Sequence, residues 1–209
     1  MEDSAFDQAL ITAVFEQASL VGWADVNLAE AAREAGLPVP RVRARFPNKS
    51  AVLLRFGVLA DEAALAGSQT EPMARDRLFD MLMARFDALQ QHRAGVLSMM
   101  VALRTDPATA ALLYAGTLRS MRWLLDAAAI PVSGLIGALR VQGLLVLWLY
   151  VLRAWEQDDS PDLTATMAAV DRGLDRALRA EALWPGRVPP VAPEVSPIPE
   201  SDEPAAMNI

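Results

Sequence analysis

The stretch from Asn27 to Lys49, NLAEAAREAGLPVPRVRARFPNK, constrains the fold more than any other part of the chain. Asn27 followed by Glu30 has the spacing of a capping box. The run LAEAAREA is rich in helix formers and in small residues that allow close packing. Gly36 then supplies the residue that can take a positive φ where a helix must stop. Pro38 and Pro40 fit only the first turn of a new helix, so the second helix starts about there, and Pro47 ends it. Val42 and Phe46 fall four apart on one face of that helix, with Arg41 and Arg45 on another. A helix, a glycine turn and a short basic helix together make the layout of a helix-turn-helix.

The segment from Ala9 to Leu53 resembles the N-terminal domain of TetR-type transcriptional regulators. Asn27 stands where that family has a capping Thr. Ala35 and Gly36 match its Ala-Gly, Leu37 is near its Val, and Phe46 and Lys49 match its Phe-x-x-Lys. Three positions depart: Pro38 replaces a capping Ser, Pro40 a Gly, and Arg43 a Tyr that usually touches phosphate. Arginine can take over a phosphate contact. The resemblance implies double-stranded DNA as partner and a two-fold dimer. With the basic run it names Asn27, Arg41, Val42, Arg43, Arg45, Asn48 and Lys49 as the DNA-contacting set.

Net charge is −7, which by itself argues against a polyanion partner. The distribution matters more. Between Ala35 and Ala60 there is no acidic residue and five basic ones, Arg41, Arg43, Arg45, Lys49 and Arg55, leaving −12 on the rest. A basic island on an acidic body suits a protein that meets DNA with one end. The absence of cysteine excludes disulfides, thiolate metal sites and a cysteine nucleophile. A single histidine, His92, excludes a multi-histidine metal site and disfavours a histidine triad. His92 reads as a surface or capping residue in its polar QQHR turn. No P-loop, GxGxxG, GxSxG or HExxH occurs, so the chain reads as no enzyme and needs no cofactor. The N-terminus lacks a secretory pattern, and a cytoplasmic location is expected.

Scarce β-branched runs and abundant Ala and Leu predict an all-α chain of about nine helices. The expected organisation is a helix-turn-helix head over 1–65, a ligand-binding and dimerisation body over 71–184, and a disordered, proline-rich acidic tail over 185–209. Helix 1 is expected over about Ser4–Leu20, with Phe6, Leu10 and Val14 as its buried stripe. Trp23 reads as filling between helices 1 and 4. Asn48 reads as the cap of helix 4 with Lys49 at its first position, a seat for phosphate. Helix 5 is expected over about Pro72–Gln90, a short helix 6 after QQHR, and helix 7 from Asp106–Pro107 to about Ala128. Helix 8, about Ser133–Gln157, is apolar nearly all round but interrupted by Arg140 and Arg153, which argues for a buried helix and no membrane span. Helix 9 is expected over about Pro161–Leu183. In the TetR family the last two long helices pair with their symmetry mates, and helices 8 and 9 look like that pair.

The body is dense in methionine and aromatics. Met83, Phe86, Met99, Met100, Leu103, Tyr114, Met121, Trp123, Gln142 and Trp148 are the candidate lining of a cavity for a small apolar ligand, with Gln142 as the orienting hydrogen bond. Asp158, Asp159 and Asp162 could hold a hard cation, but read more simply as two helix ends meeting solvent. A second resemblance lies over Trp155–Arg176, WEQDDSPDLTATMAAVDRGLDR, which is similar to a ubiquinone-biosynthesis family. Those proteins share the TetR fold and bind lipids or isoprenoids without binding DNA. This gives the alternative function. The main expectation is a ligand-responsive repressor that binds a palindrome-like operator as a dimer.

Overall fold

The computed structural model describes residues 2–67 and 73–182. Among these, nine α-helices and one 3-10 turn occur, with no strand. They are α1 (Asp3–Val21), the 3-10 turn (Trp23–Asp25), α2 (Leu28–Glu34), α3 (Val39–Arg45), α4 (Lys49–Gly67), α5 (Ala74–Gln90), α6 (Arg93–Ala102), α7 (Pro107–Ala127), α8 (Gly134–Glu156) and α9 (Thr164–Ala182). The all-α architecture expected from the sequence is the one observed. The expected linker at 66–70 falls mostly outside the described residues, although Ala66 and Gly67 still belong to α4. The expected tail at 185–209 lies wholly outside them.

The head is built on α1, whose Phe6, Leu10, Ile11 and Val14 are fully buried. Ala31 and Ala32 of α2 and Val42 of α3 close over it, with Phe46, Val52 and Leu53 beneath. The turn between α2 and α3 works as its residues require. Gly36 sits at φ 65°, and Leu37 N–H reaches back to Ala32 O at 2.7 Å. The two prolines are absorbed without loss, because Pro38 is the N-cap of α3 and Pro40 lies in its first turn, where no intrahelical N–H is needed.

α4 links the head to the rest. Its first half enters the head core through Val52, Leu53 and Phe56, and the helix also packs on α5 and α7. α6 lies against α1 so closely that a Cβ at Gly95 would stand 2.3 Å from the Phe15 carbonyl oxygen. Phe15 is the hub of this seam. Its ring meets Phe56 edge-on at 4.9 Å, stacks on His92 at 5.3 Å and lies 6.0 Å from Trp23. His92 is therefore half-buried among aromatics and not the surface residue its sequence context suggested; it does hold the N-cap position of α6, through its backbone carbonyl and without a side-chain cap. Trp23 is core, as expected, and its backbone N–H also donates to Ser98 Oγ of α6 at 2.9 Å.

A buried ion pair ties α4 to the body. Arg85 of α5 meets Asp61 of α4, its guanidinium lies 4.7 Å from the centre of the Trp148 ring of α8, and Ser120 Oγ of α7 donates to Asp61. Burial holds the Arg85 guanidinium down to about 10. At the α8–α9 corner the structure corrects the sequence reading. α9 begins at Thr164, not Pro161, because the cap comes from further back. The Asp158 carboxylate accepts from Thr166 N–H at 2.7 Å, Thr166 Oγ1 at 2.8 Å and Ser160 N–H at 3.1 Å. Burial opposes its charge, but these hydrogen bonds hold its pKa down at about 2. Asp158 is thus buried and capping, and among the described residues no acidic cluster is arranged to hold a metal.

α8 is long and apolar enough to cross a membrane by length and composition, the one such helix among the described residues. It packs on α7 and α9, with Val141, Leu144, Leu145, Trp148 and Val151 on its buried side and Trp148 stacked on Phe86 of α5. Its opposite face, Leu135, Leu139, Val146 and Tyr150, is open.

Candidate nucleic-acid interface

The candidate interface is assembled by three local devices. The Asn27 side chain caps α2 by accepting from Ala29 N–H at 3.0 Å and Glu30 N–H at 3.3 Å. Its own N–H donates to Gln17 Oε1 of α1 at 2.8 Å, which fixes where α2 starts. Asn48 caps α4 through Ala51 N–H at 2.9 Å. Lys49 does not point freely outward. Its ammonium donates to the carbonyls of Trp23 at 2.9 Å and Ala24 at 2.8 Å, pinning the 3-10 turn to the start of α4.

The basic island is largely paired, which the residue count alone did not reveal. Arg41 donates to Asp3 at 2.6 Å and lies 4.2 Å from the centre of the Phe6 ring. Arg45 grips the Asp7 carboxylate with two nitrogens, Nη2 reaching Oδ2 at 2.7 Å, and also touches Asp3. Arg55 of α4 reaches the same Asp7 at 2.7 Å and Glu62 at 3.0 Å. Burial opposes ionisation of Asp7, yet the hydrogen bonds and charges of Arg45 and Arg55 outweigh it and hold its pKa below the ordinary value. The hydrogen bond with Asp7 in turn raises Arg45.

Asp3 and Asp7 sit four apart on α1, and Arg41 and Arg45 sit four apart on α3, so the two pairs mesh as one ladder. Arg41 and Arg45, expected to contact DNA, are thus each held by a carboxylate of α1. Val42, expected in the same set, is 2% exposed and part of the head core. Asp7, fully buried, is the residue the sequence reading missed. Its signal was present as an acidic residue on the buried stripe of α1, one position from Phe6.

What α3 offers outward is a stripe at helical spacing, Pro40, Arg43 and Ala44, all exposed, with exposed Pro47 just past the end of the helix. Arg43 is the cation of this stripe, and its one recorded contact is a long one, to Pro47 O at 3.4 Å.

In the body, the ten candidate ligand residues do not line one shared space. Phe86 and Met121 are fully buried, Trp148 and Met99 nearly so, and Phe86 stacks on Trp148 at 4.5 Å. Met83, Met100 and Leu103 are half-buried against that core. Tyr114, Trp123 and Gln142 are on the surface, with Tyr114 Oη donating to Gln142 Oε1 at 3.4 Å. A shallow cleft of about 200 Å³ between α6 and α8 includes Met100 alone of the ten, beside Arg104, Leu149 and Leu152. A larger groove of about 520 Å³ runs along α1 and the end of α2, between Ala5, Ala9, Ala13 and Ala35. Of the Met and Trp residues that suggested a cavity, Met99, Met121 and Trp148 are packed core, Met83 and Met100 are half-buried, and Trp123 is exposed.

The helices and the turn between α2 and α3 together define the class: an all-helical protein with an N-terminal helix-turn-helix. More specifically, the chain has the fold of TetR-family transcriptional regulators. A TetR regulator from Nitrosomonas europaea superposes with a TM-score of 0.68 at 18% identity, over 84% of this chain and 99% of that one. A TetR regulator from a Rhodococcus species gives 0.58 at 18% identity, over 85% and 98%. A TetR-family regulator from Streptomyces coelicolor gives 0.58 at 20% identity, over 87% and 85%. No family model matches the chain, and no curated protein matches it. At these identities the likeness establishes the fold.

Proposed function

We propose that the chain is a non-enzymatic, DNA-binding transcriptional regulator whose residues 1–65 form the DNA head and 71–184 the body. The observation that carries this reading is the outward stripe of α3. It is exposed, carries an unpaired-by-carboxylate cation at Arg43, and sits on a helix whose other faces are fixed by Val42 and by the Asp3–Asp7 ladder. A scaffold that rigid can hold a short helix at one angle to a groove. Arg43 contacts phosphate, and Asn48 with the free N–H groups opening α4 gives a second phosphate contact. A second copy packs on the open face of α8 together with α9, covering Leu135, Leu139, Val146, Tyr150 and Met167. The resulting two-fold places two α3 helices about one DNA turn apart.

Control is repressive in this reading, and release follows an apolar ligand that loosens the body core around Phe86 and Trp148. A lipid-binding role without DNA would draw on the paired state of Arg41 and Arg45. It would also need an apolar cavity where Phe86 and Trp148 now stack.

Selection of bound duplexes from a random-sequence pool tests the proposal. Enrichment of a palindrome-like site with half-sites about 10 base pairs apart supports it. Recovery of unselected DNA, or of none, at moderate salt overturns it.

A further inference from the structure

The chemistry of the outward stripe also limits which bases it can recognise. From Leu37 to Pro47 the chain carries no Asn, Gln, Asp, Glu, Ser or Thr. Adenine is read in the major groove by an Asn or Gln amide and cytosine by a carboxylate, so α3 has no group for either. Two of its three arginines are turned to α1, where Asp3 and Asp7 hold them. Val39 is half-buried against the head core. What remains facing outward beside Arg43 is aliphatic, Pro40 one turn before Ala44, with Pro47 below. The base-edge feature that small aliphatic groups recognise is the thymine C5-methyl.

We infer, on the basis of the DNA-binding reading above, that α3 reads its half-site through thymine methyl groups packed on Pro40 and Ala44, while Arg43 supplies charge to the backbone. The three meet one groove because they lie at i, i+3 and i+4 on a single face. Specificity of this kind is apolar, so it is carried with no change in the number of phosphates neutralised. The salt dependence of binding and the base preference are therefore separable properties of the same helix.

The test uses the full chain and the site obtained by duplex selection, resynthesised with deoxyuridine at each half-site thymine in turn. This change removes a methyl and leaves every hydrogen-bonding edge intact. The expected result is a loss of about fourfold in affinity for each contacted methyl, with an unchanged salt slope. Ala44→Asn gives the second measurement, since an amide at that exposed position shifts the preferred base there from thymine to adenine. If a site is selected but deoxyuridine binds as well as thymidine at every position, the methyl reading is overturned while DNA binding stands. If no site is selected at all, the regulator reading falls and this inference falls with it.

Discussion

Asp7→Asn is the substitution whose outcome the structure fixes most tightly. The side chain keeps its size and position, but the charge that holds Arg45 and Arg55 is gone, and an amide N–H₂ is pushed against a guanidinium. Asp7 is fully buried, whereas the Arg45 and Arg55 side chains remain 34% and 25% exposed. Stranding one member of a buried pair costs about 3–5 kcal/mol. Two effects reduce that figure: the guanidiniums can regain water, and each keeps another partner, Asp3 for Arg45 and Glu62 for Arg55. A loss of about 2–3 kcal/mol is the expected result, which lowers the melting temperature by about 4–12 °C in a chain of this size.

The pH dependence gives the second half of the test. Asp7 titrates lower in the folded chain than its ordinary value of 3.8. Its contribution is therefore complete above that value and is lost as pH falls through the folded pKa. The gap between wild type and Asp7→Asn should stay constant from about pH 5 to 8 and close in more acid solution. Thermal unfolding followed by circular dichroism, at one fixed protein concentration, measures both. A shift under about 1 °C at neutral pH, or a gap that does not narrow in acid, would refute the view that Asp7 anchors α3.

Other outcomes follow from the same contacts. Asp3 is well exposed, so Asp3→Asn should leave stability nearly unchanged. It frees Arg41 for phosphate, so DNA affinity at low salt should rise and the salt slope steepen by about one; an unaltered slope argues that Arg41 cannot swing out. Burial lowers the pKa of His92 below 6.5 against the opposing charge of Glu16, so the folded chain loses stability as pH drops through the unfolded value. That loss between pH 7 and 5 should be smaller in His92→Phe, measured by urea unfolding, and equal losses would show that His92 is solvated. Gly95→Ala forces a Cβ onto the Phe15 backbone and should cost about 1–3 kcal/mol. Gly57→Ala in α4 meets nothing within 4 Å and should stabilise by about 0.5–1 kcal/mol. Equal effects for the two would mean that the α1–α6 seam is loose.

Local grammar made most of the fold legible. Asn27, Gly36, Asn48 and Asp106 act within a few residues of themselves, so their caps and turns can be read from spacing, and helix starts at Lys49 and Pro107 coincide with expectation. The periodic stripe of α1 reports burial for the same reason. What spacing could not show is pairing across the chain. Arg41 and Arg45 count as two charges in any local window, yet their partners lie 38 residues earlier on α1. The same holds for Asp158, whose acidic neighbours suggested solvent while its carboxylate turns inward to Thr166. In the body, Met and Trp density is consistent with a cavity or with a packed core. The stacking of Phe86 on Trp148 shows packed core at that point of the body, which spacing could not reveal.

The central claim is that α3 meets DNA with one of its three arginines, the other two being structural. It is tested most directly by the salt dependence of binding to a selected duplex for the wild type, Arg43→Ala and Arg41→Ala. Arg43→Ala should weaken binding and reduce the slope of log K against log salt by about one per subunit, while Arg41→Ala leaves the slope unchanged. The reverse pattern, with Arg41 carrying the slope and Arg43 silent, would contradict the account.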